Sequence, residues 1–176
     1  LSKINKNIDT HYVYKKNNNI TKFLFSPKKD SKFLIVAFHG LIYPKIQRPA
    51  FRGYNWNVID SDLLSFYDCN LDVYFNDNIL LAWYLSTKKN NNLLIEQVTR
   101  YIINTNTYKK VLFTGSSGGG YCAVKYASIF KGIALIHNCQ LYLEKYVQWF
   151  NTFKNTLNKH NDQIIESINV NDYIIK

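Results

Sequence analysis

The chain has no methionine, three cysteines, and 12 acidic residues against 22 basic ones in 176. Because it does not open on methionine, it is expected to differ from a raw translation product. Cys69, Cys122 and Cys139 are odd in number, widely spaced and never C-x-x-C. That pattern excludes a disulfide framework and a zinc site, so no metal is expected and a reducing cytoplasm is. No apolar run approaches the roughly 20 residues of a membrane span. The stretch Leu1 to Lys16 is polar and broken by charges, unlike a secretory signal. Internal repeats and linkers are also missing, which leaves one domain over 1–176, long enough to bury a core.

What is present is apolar and basic. A hydrophobic content of 47% with 16% aromatics excludes disorder. The shortage of acid leaves a formal charge of +10. Lysines come in pairs, Lys15-Lys16, Lys28-Lys29, Lys88-Lys89 and Lys109-Lys110, each beside Asn, Asp or Ser. Such pairs read as solvated loops, or as an attraction for an anionic partner such as CoA, an acidic glycan or nucleic acid. They do not build the basic helix or aromatic-interleaved strand of a nucleic-acid module, so no specific nucleic-acid partner is expected.

Alternating apolar residues predict an N-terminal hairpin over 10–26, with His11 on its edge. Phe33 to Phe38 is a continuous apolar run, the pattern of a parallel strand buried on both faces. It opens a core predicted over 33–139. Asn57 to Ile59 reads as a short strand stopped at Asp60-Ser61-Asp62. Leu93 to Ile103 has helical spacing, and Gly132 to Ile136 reads as another buried strand. Gln140 to Lys159 is helical in pattern, within a helical lid or cap segment expected over 140–168.

The chemistry concentrates at Val111-Leu112-Phe113-Thr114-Gly115-Ser116-Ser117-Gly118-Gly119-Gly120. This is a strand, a glycine-serine turn and the start of a helix. G-x-S-x-G fits in one register only, centred on Ser117. A serine on such a turn lifts its hydroxyl above the sheet, and glycines flank it because a Cβ would collide there. The Gly118 N–H can face an oxyanion at the helix N-terminus. A phosphate loop would need lysine where Tyr121 stands. Gly118 to Ala123 fits G-x-G-x-x-A, but the next strand ends in His137-Asn138-Cys139-Gln140 and supplies no acid for a ribose. A turn serving only tight packing is the remaining alternative.

The strand ending in Phe38-His39-Gly40, the loop Arg48…Phe51-Arg52…Trp56, Trp83-Tyr84, the Ser117 turn and Asn138-Cys139-Gln140 together resemble the α/β-hydrolase superfamily. The likeness is nearest to serine hydrolases and O-acetyltransferases encoded with bacterial capsule and surface-polysaccharide genes. It covers Phe33 to about Gln140. The resemblance implies a mostly parallel α/β sheet flanked by helices, truncated at its C-terminal end. It implies acyl transfer through an acyl-serine to or from a sugar or other small ester, without a bound cofactor, acetyl-CoA being the donor if the protein is a transferase. Ser117 is then the nucleophile and Gly40, Leu41 and Gly118 the oxyanion donors. His39, Arg48, Arg52 and Trp56 are the expected substrate contacts.

In that superfamily the acid and the histidine follow the serine. Here His137 and His160 follow it, with Asp162 and Asp172 later. His137, at the end of the strand beside the nucleophile strand, is the candidate base, and His160 lies in a polar segment. No well-formed Ser-His-Asp triad is expected within 1–176. The alternative function is a non-catalytic module of hydrolase fold that binds an anionic glycan or a partner protein.

Overall fold

The computed structural model describes residues 4, 9–56 and 60–174. Among them are six strands in one sheet: β1 (Thr10–Lys16), β2 (Asn19–Ser26), β3 (Phe33–Phe38), β4 (Asp62–Tyr67), β5 (Lys110–Ser117) and β6 (Ile133–Cys139). Their spatial order is β1-β2-β4-β3-β5-β6. β1 and β2 form an antiparallel hairpin, and β2 runs antiparallel to β4. β4, β3, β5 and β6 are mutually parallel. Four helices accompany them: α1 (Asn70–Val73), α2 (Leu93–Asn104), α3 (Gly118–Phe130) and α4 (Val147–Lys159).

The central strands explain the layering. Successive side chains of a strand point to opposite faces. Leu34, Val36 and Phe38 of β3 therefore enter one core with Phe66, Phe113, Ile95, Val98 and Tyr126. Ile35 and Ala37 enter the other, with Leu63, Trp83, Phe150 and Phe153. α2 and α3 cover the first face, and α4 with the 79–85 loop covers the second. Each fully buried side chain of this kind contributes about 1.5–3 kcal/mol.

Three expectations change, at Asp62, in the lid segment and at β6, and a fourth falls outside the described residues. Residues 57–59 lie outside those described, and the strand of this region is β4, beginning at Asp62. Asp62 looked like a strand stop, yet its carboxylate accepts from Lys28 N–H and Tyr108 Oη–H, so a buried acid opens the strand. The lid segment is helical only over a 3₁₀ turn at Leu143–Lys145 and over α4. Asn161 turns left-handed at φ 51° and ends the helical course. Residues 162–168 then lie as a strap, held by a Thr87–Ile164 bridge and by Lys125 paired with Glu166.

β6 is an edge. Ile133 and Leu135 stay 51% and 60% exposed there. No helix of the described residues is long and apolar enough to cross a membrane.

Candidate active site

β3 and β5 are neighbours in register, with Phe38 opposite Gly115. Their C-terminal ends therefore bring the His39-Gly40 loop against the Ser117 turn. Ser117 closes β5 and caps α3 with φ 53° and ψ −127°. A side-chain-bearing residue in that region carries strain of about 1–3 kcal/mol. The surrounding contacts hold it there. A Cβ on Gly115 would stand 2.1 Å from Gly119 O, and one on Gly119 would stand 2.5 Å from Phe38 O. Both glycines are thus required by close backbone approach, as the motif predicts. Ser117 O accepts from Gln140 N–H at 3.0 Å, fixing the turn to the end of β6.

Gly40 faces the turn so closely that a Cβ on it would lie 3.2 Å from Ser117 Cβ. The peptide after it is oriented by His39. Asp68 N–H donates to His39 Nε2 at 2.9 Å, so the neutral ring carries its proton on Nδ1 and donates to Gly40 O at 2.6 Å. Burial holds the ring down to a pKa of about 4, which keeps it neutral. In a trans peptide the C=O and N–H point opposite ways. The Leu41 N–H is therefore turned away from the His39 ring, and among the described residues no acceptor takes it. Gly118 opens α3, so its N–H belongs to the helix turn that lacks intrahelical acceptors.

His39, Gly40, Leu41, Ile42, Ala50, Phe51, Arg52, Ser116 and Ser117 are among the residues lining a cleft of about 440 Å³. Gly40, Leu41 and the serine are thus assembled at one place, with Gly118 next to the serine in the chain. Three of the expected substrate contacts are engaged by the protein itself. Both ring nitrogens of His39 are engaged by the protein. Arg48 donates from Nη1 to Leu71 O at 2.9 Å and from Nη2 to Ile79 O at 3.3 Å, stapling its loop to the body. Trp56 does not line the Ser117 cleft; its ring lies 5.7 Å from the Arg52 guanidinium carbon. Arg52 alone of this set reaches the serine turn, donating from Nη1 to Ser116 Oγ at 2.9 Å.

None of the other histidines is hydrogen-bonded to Ser117. His137 lies opposite Ser116 in β6, exposed, and makes no hydrogen bond to Ser117. His160 pairs with Asp77, and His11 packs its ring against Phe51. Among the described residues there is no Ser-His-Asp triad and no group of three His, Cys, Asp or Glu able to hold a metal.

Sequence reasoning missed Asp68 and named Tyr84 only within the resemblance, without a role; both hold the His39 loop from behind. Tyr84 Oη accepts from His39 N–H at 2.9 Å and donates to Phe66 O at 2.9 Å. Asp68 accepts from Tyr84 N–H and Asn70 N–H, and burial pushes its carboxyl up to about 7. The available signal was an acid ending the apolar run Leu63 to Tyr67.

No protein-family model matches the chain, and no curated protein sequence matches it significantly. Among solved structures it is similar to a capsule O-acetyltransferase of Neisseria meningitidis serogroup A in complex with caged gadolinium. The TM-score is 0.61 at 19% identity, covering 83% of this chain and 59% of that one. A histidine variant of that O-acetyltransferase in complex with CoA gives 0.58 at 19% identity, over 84% and 57%. An esterase of Pyrococcus furiosus gives 0.49 at 16% identity, over 94% and 65%. The chain therefore spans less than two-thirds of the length of these proteins. Strand order, serine turn and the likeness to the capsule O-acetyltransferase together give this chain an α/β-hydrolase-like fold.

Proposed function

We propose that the chain is the nucleophile-bearing part of a serine acyl-transfer enzyme, of esterase or O-acetyltransferase type, acting in the cytoplasm on a sugar or polysaccharide ester. The observation that carries this is the backbone of Ser117, held at φ 53° and ψ −127° in a cleft beside Gly40 and Leu41. Strain retained at one serine over a cleft fits chemistry better than packing, since a glycine would fit the same backbone without strain.

In this reading Ser117 Oγ attacks the acyl carbonyl carbon while its proton passes to a base. The carbonyl oxygen becomes an oxyanion between the Gly118 and Leu41 N–H groups, donors worth roughly 10²–10³ each in rate. Collapse expels the first alcohol or thiol with a proton and leaves the acyl-serine. Water or a sugar hydroxyl then attacks it, and Ser117 recovers its proton. None of the described histidines is hydrogen-bonded to Ser117, so no described residue is assigned as the base. The exposed apolar side chains of β6, the strand that ends beside Ser117, mark where a further segment would pack. The related solved structures are a capsule O-acetyltransferase and its variant in complex with CoA. That likeness supports a carbohydrate hydroxyl as acceptor and acetyl-CoA as donor.

The test uses the protein with all the sequence its gene encodes, acetyl-CoA, and neutral and acidic oligosaccharides. Release of CoA thiol with acetyl trapped on the Ser117 peptide is expected, and Ser117→Ala should abolish both. No acetyl on Ser117 with any acceptor, together with glycan binding that Ser117→Ala leaves intact, would favour the non-catalytic module instead.

A further inference from the structure

We propose that Arg52 is a subsite for an anionic group, phosphate or carboxylate, carried by a molecule bound in the Ser117 cleft. The inference deepens the acyl-transfer reading and rests on it for the role of the cleft. Two arginines lie four residues apart in one loop, and the fold treats them differently. Arg48 has both terminal nitrogens on backbone carbonyls. Arg52 has Nη1 on Ser116 Oγ, while its Nε is buried with no hydrogen-bond partner. Nη2, on the same edge of the guanidinium as Nε, donates to no described residue.

No carboxylate neutralises this cation among the described residues. The ion pairs there are Lys22 with Asp72, Arg100 with Glu96, Lys125 with Glu166, and Asp77 with Lys159 and His160. A half-buried charge without a counter-charge is costly to hold. Yet the loop fixes it, with the Trp56 ring on one side and the Ser116 hydroxyl at one end. Leu41, Ile42, Ala50 and Phe51 share the cleft lining with it and supply apolar surface beside the charge. The Nε–Nη2 edge of a guanidinium carries two parallel N–H groups that match two oxygens of a carboxylate or phosphate; here Nε is shut off from solvent, so Nη2 is the donor that an arriving anion meets first. The formal charge of +10 adds a long-range field of the same sense.

Phosphate could arrive on the acyl donor or on the acceptor sugar, so the test separates the two. The whole protein is titrated calorimetrically with CoA, glucose 1-phosphate, glucuronate and methyl glucoside. At least one anionic probe should bind about tenfold or more tightly than methyl glucoside, the factor a charge-assisted hydrogen bond supplies. Arg52→Gln should remove that preference, and Arg52→Lys, a point charge without the fork, should keep part of it. Thermal melts of both variants establish that they fold. Arg52-dependent preference for glucose 1-phosphate or glucuronate places the anion on the acceptor, and dependence confined to CoA places it on the donor. Methyl glucoside binding as tightly as every anion, no binding of any probe, or anion binding unchanged in Arg52→Gln would each overturn the proposal. Fluorophosphonate labelling of Ser117 in the wild type reports on the nucleophile separately.

Discussion

At Ser117 stability and chemistry pull in opposite directions. Its φ of 53° with ψ of −127° is a backbone that glycine adopts without penalty. Ser117→Gly should therefore raise the urea midpoint, by about 1 kcal/mol of stability, while ending any acylation. Ser117→Ala keeps the Cβ and should show no such gain. Equal stabilities of the two variants would contradict the strain. Asp68 carries a second residue-scale prediction. Its carboxyl is pushed up to about 7 by burial, against an ordinary value near 3.8. The folded chain thus holds a proton that the unfolded chain releases. Its contribution is fully present below about pH 4 and is lost as pH rises through 7. Asp68→Asn cannot titrate, so wild type should gain on it as pH falls from 7 to 4, by up to about 1.4 kcal/mol per pH unit. Urea titrations of both proteins across that range check this, and parallel curves would refute it. The His39 ring, held down to about 4, has the opposite sign in both proteins and cancels from the difference.

At the scale of elements, the serine turn was legible because its signal is local. Strand, glycines and helix follow one another within one short stretch, and the same close approaches demand each of them. Gly119→Ala should cost at least about 2 kcal/mol in chemical denaturation, because its Cβ would meet the backbone oxygens of Phe38 and His39 at 2.5 and 2.6 Å. A cost below about 0.5 kcal/mol would mean that β3 and α3 are not in contact there. β4 went unread although Leu63 to Tyr67 is apolar apart from Ser65, because Asp60-Ser61-Asp62 reads as punctuation until Lys28 and Tyr108 are known to hold Asp62. The 160–168 stretch was not legible at all. Its course depends on Lys125, Thr87 and Tyr74, between 41 and 88 positions away from their partners in sequence.

At the scale of the whole molecule, the sheet order brings the ends of β3 and β5 together and leaves the outer edge of β6 unpaired among the described residues. That placement assembles Ser117, Gly40 and Leu41 from a sequence that separates them by about 75 positions. It also divides Arg48 from Arg52, which one sequence context could not distinguish. The measurement that reaches the central claim most directly is labelling of the whole gene product with a fluorophosphonate, followed by peptide mass spectrometry. The account predicts a single adduct on the peptide containing Ser117, lost in Ser117→Ala and slowed by about 10²-fold or more when the Leu41 peptide N–H is removed by Leu41→Pro. A properly folded product that stays unlabelled at Ser117, or that carries its adduct on another serine, would contradict it.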